Sequence, residues 1–286
     1  MGIKIQNVTK SFGATRALNG VSLNIAEGQI YGLLGNNGAG KTTLLNIIAN
    51  RLYTDSGEVL IDDEPISDND RALGKVFSIG EQNLYPDEMR VHRALAVTKL
   101  FYPGFDLQYA NELARQFGLD TKKKITALST GYASIFRFVL ALSVNTPYLL
   151  LDEPMLGLDA MHRDMFCKLL IKKYSENPCT IVISTHLIQE VANLIEHTII
   201  IKNGHILKDM PREELLDSGY TVSGPAELVT IYISGREVLS VNSLGRLKTA
   251  CVQGKAEPAD LPAGLELGRL SLQDYFISLM NEEDYK

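Results

Sequence analysis

This 286-residue sequence predicts an α/β fold: a parallel sheet buried on both faces, an all-helical insertion, and a small C-terminal α+β appendix. Three observations carry that reading. Wholly apolar strand-like runs alternate with helix-patterned stretches within residues 1–215, as in a sheet covered on both sides. A block with apolar residues at three- and four-residue spacing fills about 85–145. Near 210–214 the composition then shifts toward Gly, Ser and Pro punctuation, marking a separate unit over 216–286.

In chain order, Gly2 to about Ile79 reads as short strands divided by turns (VSLNI, QIYGLL, GEVLID, KVFSI), with a helix from Lys41 through TTLLNIIANRL. The segments MRVHRALAVTKLF, LQYANELARQFG and ASIFRFVLALS make the helical insertion. Strands return as YLLLD, TIVIST and HTIII, with helical AMHRDMFCKLLIKKY and LIQEVANLI between them. In the appendix, LVTIYIS and REVLSVNS alternate in the manner of two strands joined near Gly235. A last helix starts at Ser271, whose capping partner three residues on is Asp274. Leu272, Phe276 and Leu279 share one face of it, which predicts docking on the core.

The composition excludes several classes. Hydrophobic residues at 45%, charged residues at 22% and 23 Gly are ordinary for a globular chain, which removes disorder, collagen and coiled coil. No run approaches the roughly 20 apolar residues that span a bilayer, and MGIKIQNVTKSFG lacks a signal peptide's apolar core. A membrane role therefore calls for a different chain to do the spanning. Cys167, Cys179 and Cys251 form no C-x-x-C pair, so neither a disulfide framework nor a zinc site is supported, and a reducing cytoplasm fits. The net charge is −6, and neither residues 1–210 nor the acidic remainder is basic, which argues against nucleic acid as partner.

Gly35-Asn36-Asn37-Gly38-Ala39-Gly40-Lys41-Thr42 fits G-x-x-x-x-G-K-[ST] between a strand and a helix, with Thr43 next in line. Glycines let backbone N–H groups turn inward around phosphate oxygens, and the helix N-terminus adds a favourable dipole. Lys41 is the residue to reach the β- and γ-phosphates, and the Thr42 hydroxyl the one to meet Mg²⁺. A buried strand, Tyr148–Asp152, ends in the carboxylate pair Asp152-Glu153. Asp152 is placed for Mg²⁺, and Glu153 to orient or deprotonate a water aimed at the γ-phosphate.

With these motifs in place, residues 1 to about 215 resemble the nucleotide-binding domain of ABC-type ATPases. Leu128-Ser129-Thr130-Gly131-Tyr132 lies where that family carries its LSGGQ signature; Gln82 matches the Q-loop, Leu156-Gly157-Leu158-Asp159 the D-loop, His186 the switch histidine, and Phe12 the aromatic that stacks on adenine. The resemblance implies a P-loop NTPase core with an antiparallel β subdomain and the all-helical insertion. It also implies ATP and Mg²⁺ as cofactors, with Gln82 joining Thr42 and Asp152 at the metal. Lys41, Gln82, Glu153 and His186 are the implied catalytic set. Two domains are expected to close head to tail around two ATP molecules, with Ser129–Tyr132 of one chain facing the phosphates held by the other and Asp159 at the seam. The implied partners are integral membrane permease subunits bound through the insertion, at the cytoplasmic face of the membrane.

The signature departs from the family pattern: Thr130 stands for the first Gly, Tyr132 for Gln, and the basic residues that usually follow are absent until Arg137. Two interpretations stay open, a subfamily variant with full activity and a heterodimer in which this segment serves a partner's weak or regulatory site; the implied ATPase pairing is a homodimer or a heterodimer. A soluble ABC ATPase uncoupled from transport is the other alternative, although the chain has no long coiled coil, paired cysteines or second cassette. The single short cassette with its C-terminal appendix resembles bacterial ABC-2-type exporters, and Phe101-Tyr-Pro-Gly-Phe-Asp106 and the LSTGY variant resemble a Gram-positive subgroup whose related operons handle membrane-active peptides, antibiotics or envelope stress.

Overall fold

In the computed structural model, which describes residues 1–256 and 261–281, strands β1 (Gly2–Phe12) and β2 (Thr15–Ala26) form a hairpin. β3 (Ile30–Leu34) leads through the glycine-rich loop into α1 (Lys41–Ile48). β4 (Ser56–Ile61), β5 (Glu64–Pro65), α2 (Asp70–Leu73) and β6 (Val76–Ile79) complete the first part. The insertion follows as α3 (Val91–Phe101), α4 (Leu107–Gln116), a 3₁₀ turn at Ile125–Ala127, and α5 (Thr130–Ser143). The chain then runs through β7 (Tyr148–Asp152), α6 (Ala160–Glu176), β8 (Thr180–Thr185), α7 (Ile188–Val191), β9 (His197–Lys202) and β10 (His205–Pro211).

Two sheets make this body. One is antiparallel, in the order β2-β1-β4-β5; the other has six strands in the order β10-β9-β3-β8-β7-β6, parallel except for β10. The continuous apolar strands are explained by a division of labour between their two faces. Tyr31, Leu33, Tyr148, Leu150 and Val182 point into a core shared with α1 and the antiparallel sheet. Ile30, Leu34, Leu149, Leu151, Ile181 and Ile183 point into the core of the helical insertion. A period of two that is apolar at both phases needs a hydrophobic partner on each side, and both are present. Where the insertion meets the rest of the body, Phe138 of α5 and Phe166 of α6 stack with centroids 3.9 Å apart.

A short helix, α8 (Arg212–Leu216), leads into the appendix, which contains β11 (Gly219–Pro225), α9 (Ala226–Ile233), β12 (Val238–Leu244), β13 (Leu247–Gln253), β14 (Glu266–Arg269) and α10 (Leu272–Asn281). Its sheet is antiparallel, in the order β12-β13-β11-β14. REVLSVNS supplies β12 as expected, but LVTIYIS does not form a strand. It is helix α9. The alternating pattern is overridden by packing: Val229 and Tyr232, three residues apart, are buried against the sheet while Ile231 is 70% exposed. A strand would have put Val229 and Ile231 on the same face. Thr230 Oγ1 bonds back to the Ala226 carbonyl within the helical turn.

The last helix docks as its pattern predicts. Ser271 Oγ accepts from the Asp274 backbone N–H at 3.1 Å and donates to the Asp274 carboxylate, a closed cap. Leu272, Phe276 and Leu279 are buried together with Leu194, Ile195 and Leu215 in the larger core. The appendix is thus pinned to the larger body by its final element. Phe276→Ala is expected to lower stability by about 3 kcal/mol and Ser271→Ala by about 1 kcal/mol, read as shifts of the urea midpoint. A wild-type midpoint for Phe276→Ala would mean that α10 carries no part of the core's stability.

Candidate functional site

The glycine-rich loop leaves the end of β3 and returns as α1. Gly40 caps the helix at φ 111°, where a Cβ would stand 2.5 Å from the Ala17 carbonyl oxygen, so no side chain fits without moving the backbone. Gly38 also has positive φ, at 80°. The loop closes on itself through Ala39 N–H to the Asn36 carbonyl. Lys41, 6% exposed, lies within it and donates to the carbonyl oxygens of Gly35 at 2.7 Å and Asn36 at 3.3 Å. Burial pushes its ammonium below the ordinary lysine range, against the opposing pull of the Glu153 and Asp152 carboxylates.

Next to β3 in the sheet stand β8 and then β7, so the residues leaving their carboxyl ends meet the loop. Asp152 ends β7 with 8% exposure, and its Oδ1 is buried without a hydrogen-bond partner. Glu153 follows in the left-handed region, φ 45°, a conformation that costs a non-glycine residue energy. Three contacts hold it there. Its backbone N–H donates to the Ser184 carbonyl at 2.8 Å, Thr185 Oγ1 donates to Oε2 at 3.1 Å, and His186 Nδ1 lies 2.9 Å from Oε1. Lys41 Nζ is 3.9 Å from the same Oε1. These groups open onto a cleft of about 820 Å³ lined also by Asn37, Gly38, Gly40, Thr42, Thr43 and Gln82.

An anion of several charges is what this cleft suits. It offers a buried cation, backbone N–H groups at a helix N-terminus and a glycine loop. An orphaned carboxylate oxygen and the Thr42 hydroxyl share the cleft, the donor set a hard divalent cation takes alongside phosphate oxygens.

Not every residue expected at the site lines this cleft. Gly35, Asn36 and Ala39 form the inner wall of the loop and act through carbonyls and packing. Phe12, 52% exposed, ends β1 outside the lining, its ring 5.8 Å from Lys10 Nζ. Ser129 caps α5 by accepting from Tyr132 N–H, and Thr130 and Tyr132 are exposed. A Cβ on Gly157 would stand 2.9 Å from Thr130 Cγ2, so the replacement of Gly by Thr gives the segment Leu156–Asp159 a methyl group to rest on. Asp159 is exposed and caps α6 through His162 N–H at 2.9 Å. Thr185 was not anticipated, although its place beside His186 in STH was the available signal. Arg51, which lines the same cleft, was also missed, since a lone Arg ending a helix carries no motif.

The comparisons agree with this architecture. The pattern of a family described as ABC transporter matches residues 18–156. The chain is 30% identical to the ABC transporter ATP-binding protein YtrB of Bacillus subtilis, across 74% of this chain and 73% of that one. It is 26% identical to the bacitracin transport ATP-binding protein BcrA of Bacillus licheniformis, across 97% of each. Among solved structures it is similar to the dimeric bacterial ABC transporter cassette MJ0796 (TM-score 0.65, 28% identity, 73% of this chain and 98% of that one). The same cassette in a post-hydrolysis state with ADP and Pi matches equally.

Gly40→Ala tests the loop geometry. The added methyl must displace either the β2 backbone or the start of α1, so ATP affinity is expected to fall at least tenfold, about 1.4 kcal/mol, by calorimetric titration. Unchanged affinity would mean that this loop does not hold the phosphates.

Proposed function

Because the chain belongs to the family of ABC transporter ATP-binding subunits, and is an ATPase, we propose that it powers an exporter by closing head to tail with a second ATPase chain around ATP. One observation carries the reading: Lys41, Asp152, Glu153 and His186 converge on a single cleft from three adjacent strand ends.

Each residue then has a task. The loop Gly35–Gly40 wraps the phosphates with backbone N–H groups, and Lys41 neutralises the terminal ones. Thr42, Asp152 and Gln82 would hold Mg²⁺, which when bound offsets the charge of the phosphate oxygens. Glu153 orients the attacking water and accepts its proton, since its carboxylate is fixed at both oxygens. His186 bonds Glu153 in this structure and is exposed enough to turn toward the terminal phosphate. Phe12 contributes the ring for adenine. Ser129, Thr130, Gly131 and Tyr132 complete the partner chain's site, with N–H groups at the α5 N-terminus, and Asp159 meets the seam. The contact of Thr130 with Gly157 supports the fully active variant, because the departure from the family pattern has its own packing partner.

Among the described residues no helix is long and apolar enough to cross a membrane. We therefore assign the spanning to separate permease subunits and this chain to the cytoplasmic face of the membrane. A groove of about 430 Å³ between the core and the insertion, lined by Tyr85, Met89, Phe101, Tyr102 and Phe136 and shared at its rim with Gln82, supports docking of a permease helix there. Similarity along nearly the whole chain to a bacitracin transport ATP-binding protein supports a transport role, in keeping with the exporter reading. We take residues 216–286 as an accessory unit.

Two experiments test this. Glu153→Gln keeps shape and binding but removes the base, so ATP should bind while turnover falls roughly 10²-fold or more, and the protein should sediment as an ATP-held dimer. Near-wild-type turnover would remove Glu153 from the role. Asp87→Lys, on the exposed rim of the insertion, should uncouple transport in the assembled transporter while basal ATPase stays within about twofold (0.4 kcal/mol). Transport unchanged by that reversal, with no membrane protein captured by a cross-linker at position 87, would place the permease elsewhere.

A further inference from the structure

β6 is an edge strand of the six-stranded sheet, and its inner carbonyls pair with β7. Its outer carbonyls, at alternate residues, face no strand. Each is met instead by a side chain from a different element. Tyr102 at the end of α3 donates its hydroxyl to the Val76 carbonyl at 3.1 Å. Arg51, after α1, donates to the Ser78 carbonyl at 2.6 Å. Arg137 of α5 donates to the Gly80 carbonyl at 2.8 Å. Three side chains thus stand in for a seventh strand, satisfying edge acceptors that would otherwise be open to another chain.

The third rung differs from the others because it continues. Arg137 also donates to Ser134 Oγ at 2.8 Å, and Ser134 Oγ donates to the Leu156 carbonyl at 2.6 Å. One hydrogen-bonded relay therefore joins Gly80, two residues before Gln82, to the signature helix and to the segment after Glu153. Gly80 also packs on Asp152, since a Cβ there would stand 3.5 Å from Asp152 Cβ. A planar guanidinium with several fixed donors spans two acceptors at once, which a single ammonium does not do with the same geometry.

We infer that Arg137 is a positioning residue for hydrolysis: it holds the Gly80–Gln82 segment in register with the signature helix, so that movement of the insertion moves Gln82. This rests on the role given to Gln82 above. Arg51 and Tyr102 anchor the strand behind it, whereas Arg137 sets its exit.

The test is a mutant cycle in the full chain, read as ATP turnover against KM, with Arg137→Lys and Gln82→Ala alone and combined. Arg137→Lys is expected to lower kcat about fivefold with KM for ATP changed less than twofold, and to speed amide exchange at 80–83 without shifting the thermal midpoint. In the Gln82→Ala background the same change should cost less than twofold, because the lever it acts through is gone. Ser134→Ala, which cuts the relay and keeps the charge, should lower kcat two- to threefold. If Arg137→Lys costs its full factor in both backgrounds, or leaves kcat unchanged while Gln82→Ala lowers it, the inference is wrong and the Gln82 role survives. If Gln82→Ala alone leaves kcat unchanged, that role falls and the inference with it.

Discussion

The register of four neighbouring parallel strands is the constraint on which the rest depends. Leu34 pairs with Thr185, Asp152 with Ser184, and Ile79 with Leu151, so the glycine loop, His186, the carboxylate pair and the Gln82 segment leave the sheet at the carboxyl ends of neighbouring strands. A slip of one residue in β7 would turn Asp152 to the opposite face and bury a different carboxylate. Register is fixed by two apolar cores that claim alternate residues of the same strands. The chemistry at those strand ends is therefore positioned by hydrophobic packing some distance behind it.

At those strand ends the local conformations are costly, and each is held by its neighbours. Glu153 occupies the left-handed region under the grip of Ser184, Thr185 and His186. Lys41 is buried among carbonyls, with two carboxylates nearby. Asp152 keeps an unpartnered oxygen. Such departures from local comfort are what a site prepared for a highly charged ligand requires, since charge that arrives with the ligand satisfies groups that the free protein leaves strained. The edge of β6 shows the opposite treatment, with its outer carbonyls bonded by Tyr102, Arg51 and Arg137.

Most of this was legible in the sequence where a residue type has a single physical use. Buried strands showed as unbroken apolar runs, the phosphate loop as glycines ahead of Lys41, and the carboxylate pair as the abrupt polar end of YLLLD. The capping box of α10 was equally plain. Alternation failed in LVTIYIS because Val, Ile and Tyr suit a strand, while the helix is decided by which side chains the appendix sheet can cover. The roles of Thr185, Arg51 and Arg137 carry no sequence signal for a related reason: each consists of bonds to groups brought close only by folding, the Glu153 carboxylate for Thr185 and the Ser78 and Gly80 carbonyls for the two arginines. The sequence around Thr130 leaves two interpretations open, and the packing of its methyl group near Gly157 is a contact that only the fold brings about.

The measurement that bears most directly on the whole reading is single-turnover release of phosphate from ATP by the intact chain, compared with Lys41→Ala. Lys41 bonds the glycine-rich loop, lies beside Glu153 and is buried in the cleft proposed to hold the terminal phosphates. Its removal is expected to weaken ATP binding and to slow phosphate release at least 10²-fold, about 2.7 kcal/mol in the barrier. Binding and release at wild-type levels in Lys41→Ala would contradict the assignment of this cleft as the place where ATP is held and cleaved.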